Sequence, residues 1–142
     1  MNFASDNQSG VSPAVLQGIV DASTGVAGSY SNDQWTQAAV AQLSAIFEKP
    51  VHVFFVATGT ASNCLALSAL VQPWHSILCH AQAHIAVDEL SAPELFTGGA
   101  RLVLIGDDGN KLTAQCLSDT LQSIPKDRPH NQIPGALSIT QC

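Results

Sequence analysis

The residue types best suited to chemistry stand in Thr58-Gly-Thr-Ala-Ser-Asn63, a small, hydroxyl-rich run that follows an apolar stretch at residues 51–56. If that stretch is a strand and a helix starts inside the run, the first backbone N–H groups of the helix have no partner and its dipole favours an anion. Gly59 lets the backbone approach a ligand closely, and Thr58, Thr60 and Ser62 add hydroxyl donors. Phosphate is the natural guest of such a site. The run is neither GxGxxG nor a Walker loop, so a nucleotide is not implied. Spacing alone fits an ordinary capped helix after a strand better than a ligand site. His84 is the second candidate. It lies a few residues beyond the strand-like residues 76–79. In a parallel sheet that is the carboxyl edge, where ligands bind, and it is the edge residues 58–63 would share. A neutral imidazole there can stack on a flat ligand or take a proton; the plainer alternative is a hydrogen-bonded histidine near the surface. His75, Cys79, His80 and His84 also cluster in sequence, but their spacing matches no zinc pattern and no metal is expected.

The elements that must position these residues read as follows. Ser12-Pro13 opens a helix whose apolar positions are Val15, Leu16, Ile19 and Val20. Residues 21–32 are Gly- and Ser-rich, and Asn32 or Asp33 caps a second helix that Pro50 stops. Residues 51–56 are the best strand in the chain, apolar at nearly every position as in a strand covered on both faces. A helix over about 60–70 follows, then a short strand at 76–79 and a short helix over 87–96 ended by Gly98-Gly99. After these come a strand at 101–105, a turn at 107–110, a helix over 112–124 capped by Thr113, a polar loop over 125–132 and a last strand at 136–140. Strands alternating with helices predict an α/β fold with a mostly parallel sheet.

The 142 residues suit about one domain. Only 11% are charged, far below the usual ~25%, so an unusually large share of the surface is expected to be covered. The net charge is −6, with Lys49, Arg101, Lys111, Lys126 and Arg128 scattered; neither nucleic acid nor an anionic membrane is an expected partner. No run approaches the ~18 apolar residues of a membrane span. The start Met1-Asn-Phe-Ala-Ser-Asp6 carries no signal-peptide pattern. With no CxxC spacing, Cys64, Cys79, Cys116 and Cys142 read as free thiols of a cytoplasmic protein.

Six motifs in register carry a resemblance: Phe3-Ala-Ser-Asp-Asn7, Ser29-Tyr-Ser-Asn-Asp33, Phe54-Phe-Val-Ala-Thr-Gly-Thr-Ala-Ser-Asn63, Ala83-His-Ile-Ala-Val-Asp-Glu89 with Ala92-Pro-Glu94, Asp108-Gly-Asn-Lys-Leu112 and Leu137-Ser-Ile-Thr-Gln141. In this order the chain resembles the low-specificity L-threonine aldolases of the β-eliminating lyase group, fold-type I enzymes that use pyridoxal phosphate. The resemblance runs from Phe3 to Gln141. It implies a three-layer α/β/α architecture, with residues 1–142 as the N-terminal part of the cofactor-binding large domain: 1–50 an arm with helices, 51–142 an alternating strand–helix core. It implies retro-aldol cleavage of β-hydroxy-α-amino acids to glycine and an aldehyde, in a homodimer or homotetramer. Carried over residue by residue, it makes Gly59 and Thr60 the amides that hold the cofactor phosphate. It makes His84 the ring that stacks on the pyridine and assists proton transfer. Ser5 becomes a contact of the substrate carboxylate, Tyr30 a residue reaching into the neighbouring subunit's site, and Glu89 a support behind these groups. Two departures stand out: Ser31 replaces the glycine usual after the tyrosine, and Leu90-Ser91 replaces a small residue and glycine before Ala-Pro-Glu. The family's cofactor-bonding lysine, pyridine-facing Asp and Arg lie beyond the equivalent of residue 142, and Lys49, Lys111 and Lys126 do not substitute for that lysine. The expectation is therefore a fragment of an aldolase, inactive by itself, with an open strand edge where it ends. The alternatives are a non-catalytic fragment that docks on an intact subunit, and a small-anion-binding α/β domain.

Overall fold

The computed structural model describes residues 8–106, 109, 111–125 and 128–140. The chain divides into two compact units, Met1–Phe54 and Phe55–Cys142.

The first unit is built on two capped helices. In α1 (Pro13–Ala22) the Ser12 side chain accepts from the Val15 N–H, and Pro13 takes the first helical position, where its missing donor costs nothing. In α2 (Gln34–Ile46) the Asp33 carboxylate accepts from both the backbone N–H and the hydroxyl of Thr36, each at 2.7 Å. The helix ends ahead of Pro50: Phe47 caps it and Glu48 turns into the left-handed region at φ 54°. No described residue of this unit is buried.

The expected buried strand at residues 51–56 is not formed. The run makes no strand pairing among the described residues, and Phe54 and Phe55 are 84% and 63% exposed. Its residue types suit a strand, but a strand exists only through the hydrogen bonds of a neighbour.

The second unit holds a three-stranded parallel sheet in the order β2-β1-β3, with β1 (His75–His80) between β2 (Arg101–Ile105) and β3 (Ile133–Ser138). The α/β fold with a parallel sheet is thus observed. β1 is buried over Ser76–His80 because it has a neighbour on each side. Its Ile77 and Cys79 join Leu67 of α3 (Gly59–Leu70), Val71, Ala83, Ile85 and Ala100 in the core. β3 begins three residues earlier than expected and carries a bulge: Ser76 faces Pro134 and Ile77 faces Ala136, so Gly135 is the extra residue. The His75 side chain packs over that bulge, within 2.9 Å of where a Cβ at Gly135 would stand.

The single helix expected over 87–96 is two short ones, α4 (His84–Val87) and α5 (Ala92–Phe96). Leu90 and Ser91 break it with φ of 48° and 60°, and Pro93 then fits the first turn of α5. The last helix, α6 (Ala114–Ser123), is capped by the Thr113 hydroxyl, as expected. Of the expected turn and polar loop, residues 107, 108, 110, 126 and 127 lie outside the described residues.

Candidate functional site

Thr58 starts α3. Its hydroxyl accepts from the Ala61 N–H and its carbonyl from the Ser62 N–H, both at 3.1 Å. The N–H groups of Gly59 and Thr60 have no partner among the described residues. They are the positive end of a twelve-residue helix. A Cβ placed on Gly59 would meet no described atom within 4 Å beyond its chain neighbours and its own helix backbone, and Gly59 is exposed.

His84 sits where the sequence puts it, just past the carboxyl end of β1. The chain turns there through the Ala83 N–H to the His80 carbonyl at 2.9 Å. The His84 backbone N–H then donates to the Thr140 hydroxyl at 3.4 Å, just past the carboxyl end of β3. The imidazole is half exposed, while its Nδ1 lies 2.7 Å from Oε1 of Glu89, whose side chain is wholly buried. The same oxygen accepts from the Asn63 side-chain amide at 2.7 Å. Glu89 Oε2 is buried and has no hydrogen-bond partner among the described residues.

These contacts join Asn63, Glu89 and His84 in one row. Asn63 lies three residues after Thr60 and four after Gly59, on the same helix face and about 6 Å along the axis from Gly59 at 1.5 Å per residue. Through Glu89, α3 is thereby linked to the His84 imidazole. Opposite a carboxylate that only accepts, His84 Nδ1 is the donor, and a ring neutral in that arrangement presents Nε2 as a bare acceptor.

Two thiols border this region and stay protonated. Burial raises Cys64, with further upward pressure from the Glu89 and Glu94 carboxylates. Cys79 is pushed up to about 11, chiefly by burial and then by Glu94. Neither has the thiolate character of a nucleophile at neutral pH. His75 and His80 are engaged locally, accepting at Nδ1 from the N–H of Gln72 and Gln82 respectively. Among the described residues no three His, Cys, Asp or Glu side chains converge as metal ligands would.

Tyr30 belongs to the first unit, where it is 95% exposed at φ 59°; Ser5 lies outside the described residues. Sequence reasoning missed the roles of Asn63 and Thr140. Asn63 carries a local signal, since it shares a helix face with Gly59 and Thr60. Thr140 carries none, because its contact spans 56 residues.

Comparison with known proteins places this geometry in context. A family model described as beta-eliminating lyase matches residues 2–142. Low-specificity L-threonine aldolases of Pseudomonas sp. (strain NCIMB 10558) and of Pseudomonas aeruginosa are each 38% identical over 139 residues. Those matches cover 98% of this chain and 40% of each relative, so the chain spans well under half the length of the curated relatives it resembles. Among solved structures, Leishmania major threonine aldolase superposes with a TM-score of 0.86 at 24% identity, over 96% of this chain and 39% of that one. At that identity the likeness is one of fold.

Proposed function

The chain belongs to the beta-eliminating lyase family, and we propose on that footing that its second unit is the phosphate- and ring-binding part of a pyridoxal-phosphate site. The enzyme would cleave L-threonine and related β-hydroxy-α-amino acids to glycine and an aldehyde. The observation that carries this reading is the hydrogen-bonded row Asn63–Glu89–His84, which starts on α3 one turn after the unpartnered amides of Gly59 and Thr60. A phosphorylated aromatic fits these residues. An anion is matched by two free N–H groups at an exposed helix terminus, and a flat ring by a half-exposed imidazole anchored from behind.

Pyridoxal phosphate, when bound, supplies an electron sink for the charge left on the α-carbon as the side chain departs as an aldehyde. This chain's residues do the rest of what is assigned here. The Gly59 and Thr60 amides and the Thr60 hydroxyl would hold the phosphate. His84 would stack on the ring and, donating from Nδ1 to Glu89, would offer Nε2 to the proton leaving the substrate's β-hydroxyl. Glu89 holds the imidazole in that tautomer. Ser5 is proposed to contact the substrate carboxylate, and Tyr30 to act across a subunit boundary in a homodimer or homotetramer. The relatives' cofactor-bonding lysine is assigned to residues outside 1–142, and the protein to the cytoplasm.

Two experiments test this. Pyridoxal phosphate, and more weakly inorganic phosphate, should raise the thermal midpoint of the 142-residue chain by several degrees, since a ligand at a hundred times its Kd adds about 2.7 kcal/mol. Gly59→Asp should abolish the rise, because it sets a carboxylate against the anion. A folded wild type that shows no rise with pyridoxal phosphate would count against the reading. For the reaction, residues 1–142 replace the matched segment of the Pseudomonas aldolase. That chimera should release glycine from L-threonine and lose the activity on His84→Gln.

A further inference from the structure

We propose that Asn63 is a positioning residue for His84: its side-chain amide donates to Glu89 Oε1 and so fixes the carboxylate that holds the His84 ring by Nδ1. The inference deepens the proposed function, and it rests on that reading only for its catalytic consequence.

Glu89 is 4% exposed, and its side chain is fully out of solvent. A buried carboxylate is tolerated only when polar groups replace its water. Glu89 has two such partners, and both converge on Oε1: Asn63 Nδ2 at 2.7 Å and His84 Nδ1 at 2.7 Å. Oε2 has none among the described residues. The terminal torsion of a glutamate is broad and roughly two-fold, so the carboxylate has no intrinsic reason to present one oxygen to the imidazole. Asn63 provides that reason. Of the side-chain groups of asparagine only the NH₂ donates, and an ionised carboxylate can only accept, so the pair has one polarity.

The placement of Asn63 gives the contact a second consequence. It stands on α3, one turn from the amides assigned to phosphate. His84 and Glu89 belong to the chain 21 and 26 residues further on. The amide of Asn63 is thus the hydrogen-bonded tie between the phosphate-binding helix and the ring-stacking histidine. A shift of α3 would be passed to the imidazole, and the two halves of the cofactor pocket would keep their spacing.

The test reads the His84 tautomer in the ¹⁵N-labelled 142-residue chain with the ring neutral. Long-range ¹H–¹⁵N spectra separate a protonated ring nitrogen from a bare one, and His84→Gln identifies the signal. The wild type should show Nδ1 protonated. Asn63→Leu, close in shape, and Asn63→Ala both remove the donor; in each the share of Nε2-protonated ring should rise several-fold. Glu89→Gln, which removes the charged acceptor, should raise it further. A wild-type tautomer ratio in either Asn63 variant, with the amide spectrum of β1 unchanged, would overturn the proposal. Loss of the fold in both variants would also overturn it, because Asn63 would then be serving stability and not the ring. Pyridoxal phosphate is added to the same wild-type sample. Silence at the Gly59 and Thr60 amides would overturn the proposed function on a separate readout.

Discussion

Leu90 and Ser91 hold the left-handed backbone at φ 48° and 60°, and Tyr30 and Ser31 do so at 59° and 63°. Non-glycine residues there cost of order 1–3 kcal/mol each, and a glycine does not. Ser31 and Ser91 are the two positions where the resemblance drawn from the sequence leads one to expect glycine. The departures therefore fall on backbone that glycine would relieve. Ser91→Gly should raise stability by about 0.5–1 kcal/mol, the relief exceeding the added flexibility of the unfolded chain, and Ser31→Gly should act in the same direction. Chemical denaturation reads both; a loss of stability in Ser91→Gly would show that the serine side chain contributes more than its backbone costs. Ser91 precedes α5 with no side-chain cap bond, so little is lost by removing it. Relief here also bears on the site, because Glu89 is the residue just before the strained pair.

At the scale of the element, two titratable groups give opposite pH limits. Asp33 caps α2, and its carboxyl is held below the usual range, first by the Thr36 backbone N–H and then by the Thr36 hydroxyl. A group whose folded value is lowered stabilises above its unfolded value, and that contribution is lost as pH falls through the folded one. The helical signal of α2 should therefore weaken on acidification below the ordinary carboxylate range, and Asp33→Asn, which caps without titrating, should flatten that response in circular dichroism. Cys79 in β1 works the other way. Its value is raised to about 11 by burial and then by Glu94. The unfolded thiol ionises first, so stability should fall from about pH 9 toward 11. Denaturation midpoints measured across that window should drop in wild type and hold steadier in Cys79→Ala. How far such elements could be read beforehand depended on whether the deciding contact was local. The caps Ser12, Asp33 and Thr113 were legible because a cap bonds to residues three positions on, whereas Thr58, read only as a hydroxyl donor, caps α3 in the same way. Residues 51–56 were misread because their types suit a strand while pairing depends on a neighbour. The break at Leu90-Ser91 was missed because neither residue is among those that favour the left-handed backbone both adopt. In the site, Gly59, Thr60, His84 and Glu89 stood out by motif. Asn63 and Thr140 gain their meaning only from contacts across 26 and 56 residues.

At the scale of the whole molecule, the distribution of apolar surface is the governing fact. Val15, Leu16, Ile19 and Val20 repeat at helical spacing, yet each is more than half exposed, as are Phe54, Phe55, Leu104 and Ile133. Neither β2 nor β3 has a second strand neighbour among the described residues, so each offers an edge of unpaired backbone groups, a template for pairing with another chain. Exposed apolar side chains on each unit are the kind of surface that seeks cover, and the net charge of −6 is the repulsion that opposes association. The chain should therefore self-associate. Sedimentation velocity should show a weight-average mass that climbs with protein concentration, and a hydrophobic dye should bind the folded chain strongly. Added salt should strengthen association by screening the net charge of −6. Replacing Phe54 and Phe55 by glutamate places charge on the run at residues 51–56 and should move the distribution back toward monomer. A single monomeric boundary at every concentration, with little dye bound, would mean that these surfaces are covered within one chain and that neither the sheet edges nor the α1 face seeks a partner.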